Sequence, residues 1–151
     1  MISEPLRYLD GFVDAGADII CAHIEADDDA RKFLEAVRAA GRRPALAINP
    51  DTPTAQIADL LPLCAMITVM GVHPGFAGQQ FIESTVEKIE ELRALITAGG
   101  RPVHLQVDGG VGTENIARLV AAGADVIVSG SFVFRHPQGY AAAMRELRVC
   151  G

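Results

Sequence analysis

The chain has 151 residues, half of them hydrophobic but only 5% aromatic, and a formal net charge of −6. That length supports one domain with a real core. The composition makes Ala, Val, Ile and Leu the substance of that core, as in parallel α/β proteins, and the acidic balance speaks against a nucleic-acid partner. No secretory signal and no apolar run of membrane-spanning length is visible. The three cysteines, Cys21, Cys64 and Cys150, are odd in number and widely spaced, which fits neither a disulfide framework nor a zinc motif. Two of them stand in apolar strand or helix contexts where a buried thiol is expected, and a reducing cytoplasm is the simplest compartment.

Helices and strands alternate along the chain. Residues 3–15 read as a helix with Ser3 as N-cap and Pro5 in the first turn. A strand follows over 18–26, then a helix over 27–40 with Gly41 at its C-terminal end. A strand over 44–49 leads into a helix opened by Thr52-Pro53 and running to Pro62 or Leu63. Residues 66–72 form a strand. Residues 83–98 form an amphipathic helix, with Val86, Ile89, Leu92 and Ile96 at helical spacing. A strand over 103–107, a helix over 113–122 with Thr113 as N-cap, a strand over 125–129 and a closing helix over 137–149 complete the pattern. The runs Ala15-Gly16-Ala17-Asp18-Ile19-Ile20 and Ala122-Gly123-Ala124-Asp125-Val126-Ile127 echo one another, each passing from a helix end through Gly into a strand. Five strands alternating with six helices imply one parallel sheet with right-handed crossovers, whose function sits at the C-terminal strand ends.

Three Gly-rich loops fall at those ends: Met70 to Phe81, Val107-Asp108-Gly109-Gly110, and Val128-Ser129-Gly130-Ser131. Such loops bring backbone N–H groups close to an anion. Asp108 is the strongest candidate for chemistry, able to take a proton or bind a metal. A turn cap accounts for it equally well by spacing alone, but a cap does not require two glycines after it. Gly130-Ser131 stands where late βα loops of a barrel bind phosphate, or forms an ordinary strand-to-helix turn. Gly75-Phe76-Ala77-Gly78 reads as a flap over a ligand, or as a long surface loop. His23 and Glu25 share a side of their strand, and a structural hydrogen-bonded pair is the preferred reading. Asn49 ends the next strand, able to donate a hydrogen bond to a ligand or a neighbouring loop, and His73 sits in the Met70–Phe81 loop with an open role. Met66 reads as core, and Met70 stands close enough to the loop to touch a ligand.

Taken together, the runs Met70–Phe81, Val107–Gly110 and Ser129–Ser131 resemble ribulose-phosphate 3-epimerase and its relative allulose-6-phosphate 3-epimerase. Ala15-Gly16-Ala17-Asp18, His23-Ile24-Glu25-Ala26 and Asn49-Pro50-Asp51-Thr52-Pro53 extend the resemblance along the whole chain. It implies an incomplete (β/α)8 barrel, with residues 1–151 a single domain forming its C-terminal two-thirds. It further implies epimerisation at C3 of a phosphorylated ketose, ribulose 5-phosphate to xylulose 5-phosphate, by metal-assisted proton transfer. Asp108 matches an aspartate that is both acid/base and metal ligand. Gly75, Phe76, Ala77 and Gly78 match the phosphate-closing loop. Gly109, Gly110, Gly130 and Ser131 match the phosphate cradle, and Met70 matches a methionine beside the reacting carbon. The implied cofactor is a divalent metal, zinc before iron, manganese or cobalt, weak or absent if Asp108 is its sole ligand.

Met1–Pro5 resembles the segment just after the family's third strand. The other aspartate and two metal-binding histidines are therefore expected outside this sequence, one His two residues before Met1. Met1 itself matches a second substrate-side methionine, and His73 stands where the family usually has Asn or Asp. The implied partner is a small phosphorylated ketose, with no nucleic acid and no membrane. Open sheet edges would favour a homo-oligomer. The competing reading is an inactive sugar-phosphate-binding fragment or a partner-dependent module.

Overall fold

Short apolar runs rich in β-branched residues become five strands, β1 (Ile19–His23), β2 (Arg43–Ile48), β3 (Met66–Met70), β4 (His104–Asp108) and β5 (Val126–Val128). The structure, a computed structural model, describes residues 1–151. The strands pair in chain order, all parallel, in one sheet β1-β2-β3-β4-β5. Six α-helices connect or flank them: α1 (Leu9–Asp14), α2 (Ala30–Ala39), α3 (Thr85–Ala98), α4 (Ile116–Ala121), α5 (Ser131–Phe134) and α6 (Tyr140–Cys150).

Register divides the sheet into two chemically different faces, because partners across parallel strands share a side. One face carries Ala22, Leu46, Ile67 and Leu105, then Ile48, Val69, Val107 and Ile127. The helices cover this side: Phe33, Leu34 and Val37 of α2, Ile89, Leu92 and Ile96 of α3, and Leu119 of α4 join its residues in one core. Each such side chain, taken fully out of water, contributes about 1.5–3 kcal/mol. The opposite face carries His23, Ala47, Thr68, Gln106 and Val126, with Met70, Asp108 and Val128 above them. No helix covers it, and its polar groups pair among themselves, as where Gln106 Nε2 donates to Thr68 Oγ1 at 3.0 Å. Asp108 therefore stands on the uncovered face at the C-terminal edge of the sheet.

Several expected elements are redrawn. The helix expected over 3–15 splits into a 3₁₀ turn, Pro5–Tyr8, and α1, and Ser3 caps nothing because the turn starts after Glu4. The helix expected from Thr52 to Leu63 is instead two 3₁₀ segments, Thr54–Gln56 and Ala58–Leu63. Pro62 lies inside the second and has no N–H to donate, so an α-helical ladder cannot run through it. The expected helix over 27–40 starts at Ala30, where the Asp29 carboxylate accepts from Lys32 N–H at 2.9 Å. Of the thiols, Cys64 is buried, donates to the Leu60 carbonyl and is pushed up to about 12 by burial. Cys21 is exposed, because β1 is an edge strand and Cys21 lies on the uncovered face.

The loop after β2 is held by charges from both sides. Glu25, just past β1, accepts from Asn49 N–H at 2.9 Å and from the Thr52 hydroxyl. Burial works to raise the Glu25 carboxyl, but the bonds from Thr52, Asn49 and His23 outweigh it and hold the group below its ordinary value. From α3, Lys88 Nζ donates to the carbonyls of Asn49 (3.0 Å), Pro50 (2.6 Å) and Thr52. Lys88→Met leaves these carbonyls without their cation. The expected cost is about 2 kcal/mol, read as a lower urea midpoint at unchanged m-value. An unchanged midpoint would show that the cation does not hold this loop.

Candidate active site

Asp108 is the last residue of β4, paired with Met70 of β3 on one side and Val128 of β5 on the other. Its backbone carbonyl accepts from Gly71 N–H at 2.7 Å, which fixes the strand end against the start of the next loop. Its side chain is half-buried. Burial raises the carboxyl above the usual carboxylate range, and the nearby His23 draws it partly back. His23 is itself engaged, its Nδ1 lying 3.1 Å from Glu25 Oε2, so the structural pairing expected of these two is what the fold contains.

The loop after β3 closes on itself. Ile82 N–H donates to the Gly71 carbonyl at 2.8 Å and forms the neck. Inside it, the Gln79 side-chain amide donates to the carbonyls of His73 (2.7 Å) and Phe76 (2.9 Å). Phe76 is 75% exposed, so the tip carries its aromatic ring outside any core. His73 reaches toward Asp51, with Nδ1 at 3.6 Å from a carboxylate oxygen.

Asn115 organises the loop after β4. It is 3% exposed and its side chain is engaged at both ends: its carbonyl accepts from Gly112 N–H at 3.0 Å and its amide donates to the Gly110 carbonyl at 2.9 Å. This corrects the expectation for Thr113. The residue preceding α4 is Asn115, and its side chain turns back to brace the glycine loop and makes no cap to the helix. Ser129 Oγ donates to the Val111 carbonyl at 2.7 Å and joins the β5 loop to the β4 loop.

These loops enclose a cavity of about 460 Å³, a volume suited to a small ligand. The ten residues matched to catalysis or phosphate binding border it, namely Met70, Gly75, Phe76, Ala77, Gly78, Asp108, Gly109, Gly110, Gly130 and Ser131, and so does His73, whereas His23, Glu25 and Asn49 line a separate cleft. Met1 borders it as well. The sequence reading did not single out Gln79, Asn115 or Ser129, which shape the loops. Gln79 and Ser129 lie inside the three motifs, so a search for side-chain amides and hydroxyls within the Gly-rich runs would have found them.

A metal centre is a separate question. The chain holds no cluster of three or more His, Cys, Asp or Glu side chains placed to share an ion. Asp108 offers one carboxylate, and His23, the imidazole whose charge acts on it, is tied to Glu25. The residues of this chain therefore do not by themselves make a divalent-metal site.

A family model described as the ribulose-phosphate 3 epimerase family matches residues 1–134. The chain belongs to this family. Proteins named ribulose-phosphate 3-epimerase include one from Rhodobacter capsulatus, 45% identical over 135 residues, which covers 89% of this chain and 58% of that protein. One from Synechocystis sp. is 39% identical over 150 residues, covering 98% and 65%. One from Escherichia coli K12 is 37% identical over 148 residues, covering 98% and 65%. The chain thus spans 58% to 65% of the length of these curated relatives. Among solved structures, a 3-hexulose-6-phosphate synthase superposes with TM-score 0.72 at 21% identity, over 99% of this chain and 70% of that one. A tryptophan synthase structure from Mycobacterium tuberculosis gives TM-score 0.65 at 17% identity, over 96% and 58%. At such identities the likeness concerns the fold, an incomplete (β/α)8 barrel. No helix of the chain is long and apolar enough to cross a membrane.

Proposed function

We propose that this chain carries the phosphate-binding loops and one proton-transfer group of a ribulose-phosphate 3-epimerase, interconverting ribulose 5-phosphate and xylulose 5-phosphate. The observation that carries the reading is Asp108: a half-buried carboxyl, raised by burial, at a strand end in the same cavity as the three Gly-rich loops. The C3 hydrogen of a 2-ketose is acidic because the adjacent carbonyl delocalises the resulting charge. A carboxylate whose proton affinity has been raised is a better base for it and a better acid for its return. Met70, paired with Asp108, supplies an apolar wall beside the reacting carbon, and Gly109, Gly110, Gly130 and Ser131 receive the phosphate while Gly75–Gly78 closes over it.

Inversion at C3 needs a second group on the opposite face of the sugar. In the family pattern that group, and the histidines that complete a divalent-metal site with Asp108, belong to strands outside these five. Zinc before iron, manganese or cobalt would be the metal, and its chemistry would be to stabilise charge on the sugar oxygens. The chain then forms the C-terminal two-thirds of the barrel as one domain. Self-association of copies suits the free edges of β1 and β5 and the exposed Phe12 and Phe134. A cytoplasmic location suits three cysteines with no disulfide among them.

One group on one face can still exchange a hydrogen without inverting the carbon. The test is incubation of the chain with ribulose 5-phosphate in D₂O, following the C3 hydrogen by NMR. Exchange above the rate of free Asp at equal concentration supports the reading. Saturable binding without exchange would replace it by the other reading, a sugar-phosphate-binding module, which the single carboxylate favours.

A further inference from the structure

The cavity has a charge problem that its own lining does not solve. It presents the carboxylates of Asp108 and Glu114 and no Lys or Arg, in a chain of net charge −6. A phosphate dianion entering there meets like charge on two sides.

One cation stands at the margin. At the C-terminal cap of α5, the Arg135 N–H donates to the Ser131 carbonyl at 3.1 Å, so the two residues are one helical turn apart on the same face. A side chain at that spacing leans back toward the N-terminal residue of the pair. The flap comes down to meet it. A methyl group built on Gly78 would sit 3.6 Å from Arg135 Nη1 and 3.8 Å from Ser131 Oγ, and Gly78 has φ +85°. The glycine thus leaves a gap between flap and cradle, with a guanidinium at its edge.

That guanidinium is uncommitted. Arg7, Arg93 and Arg118 are paired with carboxylates, and Arg31 and Arg42 donate to backbone carbonyls. The Arg135 side chain makes no hydrogen bond or ion pair within the chain. Arg38, Arg43, Arg101, Arg145 and Arg148 are unpaired too, so it is position that sets Arg135 apart. Of these it is the one whose guanidinium stands beside the Gly78 turn of the flap and the Ser131 hydroxyl, where an anion held between flap and cradle would lie.

We infer that Arg135 is the cationic phosphate contact of this site, gripping the phosphate from the Ser131 side while the Gly78 turn closes over it. The inference rests on the sugar-phosphate reading of the cavity and adds to it a side-chain ligand where the motifs supply only backbone and a hydroxyl. Arg135 acts in binding and orientation; the proton transfer stays with Asp108.

The test is calorimetric titration of the chain with inorganic phosphate, for the natural sequence, Arg135→Gln, Arg135→Lys and the control Arg118→Gln, whose arginine pairs with Glu83 away from the cavity. Loss of one charge-assisted contact should weaken phosphate binding about tenfold to a hundredfold in Arg135→Gln. Arg135→Lys should recover part of that, and Arg118→Gln should match the natural sequence. Unphosphorylated ribulose should bind all four alike, which a merely structural role for Arg135 would not produce. Equal phosphate affinity in the natural sequence and Arg135→Gln overturns the inference and leaves the cradle standing. Absence of saturable phosphate binding in the natural sequence removes both. Because the Arg135 side chain bonds to nothing in the fold, its variants should unfold at the same temperature as the natural chain. A lowered melting temperature in Arg135→Gln with phosphate affinity unchanged would mark it as structural and likewise overturn the inference.

Discussion

Asp108→Asn is expected to lower C3 hydrogen exchange by about two to four orders of magnitude, the share that a positioned general base supplies. Asn keeps the shape of the side chain, so phosphate affinity should hold or rise slightly as one negative charge leaves the cavity. The pH dependence follows from the same burial. A base must be ionised to work, and the Asp108 carboxyl is raised above its ordinary value of 3.8 by burial, with His23 opposing. The acid limb of the exchange rate should therefore fall at a pH above that of an ordinary carboxylate. Removing the imidazole, as in His23→Phe, should push it higher still. The stability effect has the opposite sign to the activity effect. A group whose folded pKa lies above its unfolded value binds more protons in the folded state, so stability declines as pH rises through that interval. At neutral pH the ionised Asp108 destabilises the fold, and Asp108→Asn should melt at a slightly higher temperature than the natural chain. The difference should vanish in acid below both pKa values. Near-natural exchange in Asp108→Asn would remove Asp108 from the chemistry; slow exchange with a lowered melting temperature would point to a damaged fold.

The strands were legible because a buried parallel strand writes itself as an apolar run; their barrel order came from the family resemblance, since five βα units also fit a doubly wound sheet. Their ends moved by a residue or more. β4 reaches Asp108 itself, and β1 stops at His23, where Ala26 N–H turns back to the His23 carbonyl. The helix expected from Thr52 to Leu63 failed for a physical reason: apolar spacing hardly distinguishes α from 3₁₀ over so few residues, and Pro62 decides the matter. The site was legible to the extent that the fold places strand C-termini together, which brings Met70, Asp108 and Gly130 to one mouth once the sheet is parallel. The contacts that brace that mouth were not legible. Lys88 serves a loop 36 to 39 residues earlier, and Asn115 turns back to the glycine loop when its position suggests a helix cap. Long or amide-bearing side chains choose partners by three-dimensional proximity, and no periodicity records that choice.

Gly110→Ala should damage both the fold and the site, because it adds a clash to a left-handed backbone. Gly110 has φ +67°, and a Cβ built on it lies 2.7 Å from both the backbone N and the Cα of Phe81. The left-handed conformation alone costs an L-residue about 1–2 kcal/mol. Overpacking adds about 1–3 kcal/mol more, giving about 3 kcal/mol in all. Relief by local movement is blocked on each side. The Phe81 segment is tied down where Ile82 N–H bonds to the Gly71 carbonyl, and Gly71 N–H bonds to the Asp108 carbonyl. The Gly110 carbonyl is held by Asn115. Gly71 itself admits no side chain either, since a Cβ there would strike the Gly109 carbonyl and the Phe81 ring. The added methyl therefore forces either the neck of the flap or the strand end bearing Asp108 to shift, so loss of exchange activity should accompany loss of stability. Gly75→Ala is the matched control: a Cβ at Gly75 meets nothing within 4 Å, and its φ lies outside the left-handed range. Urea unfolding should separate the two variants by about 2–3 kcal/mol. Midpoints within experimental error of one another would mean that the β4 loop and the flap neck are not locked together as the close approach of Gly110 to Phe81 requires.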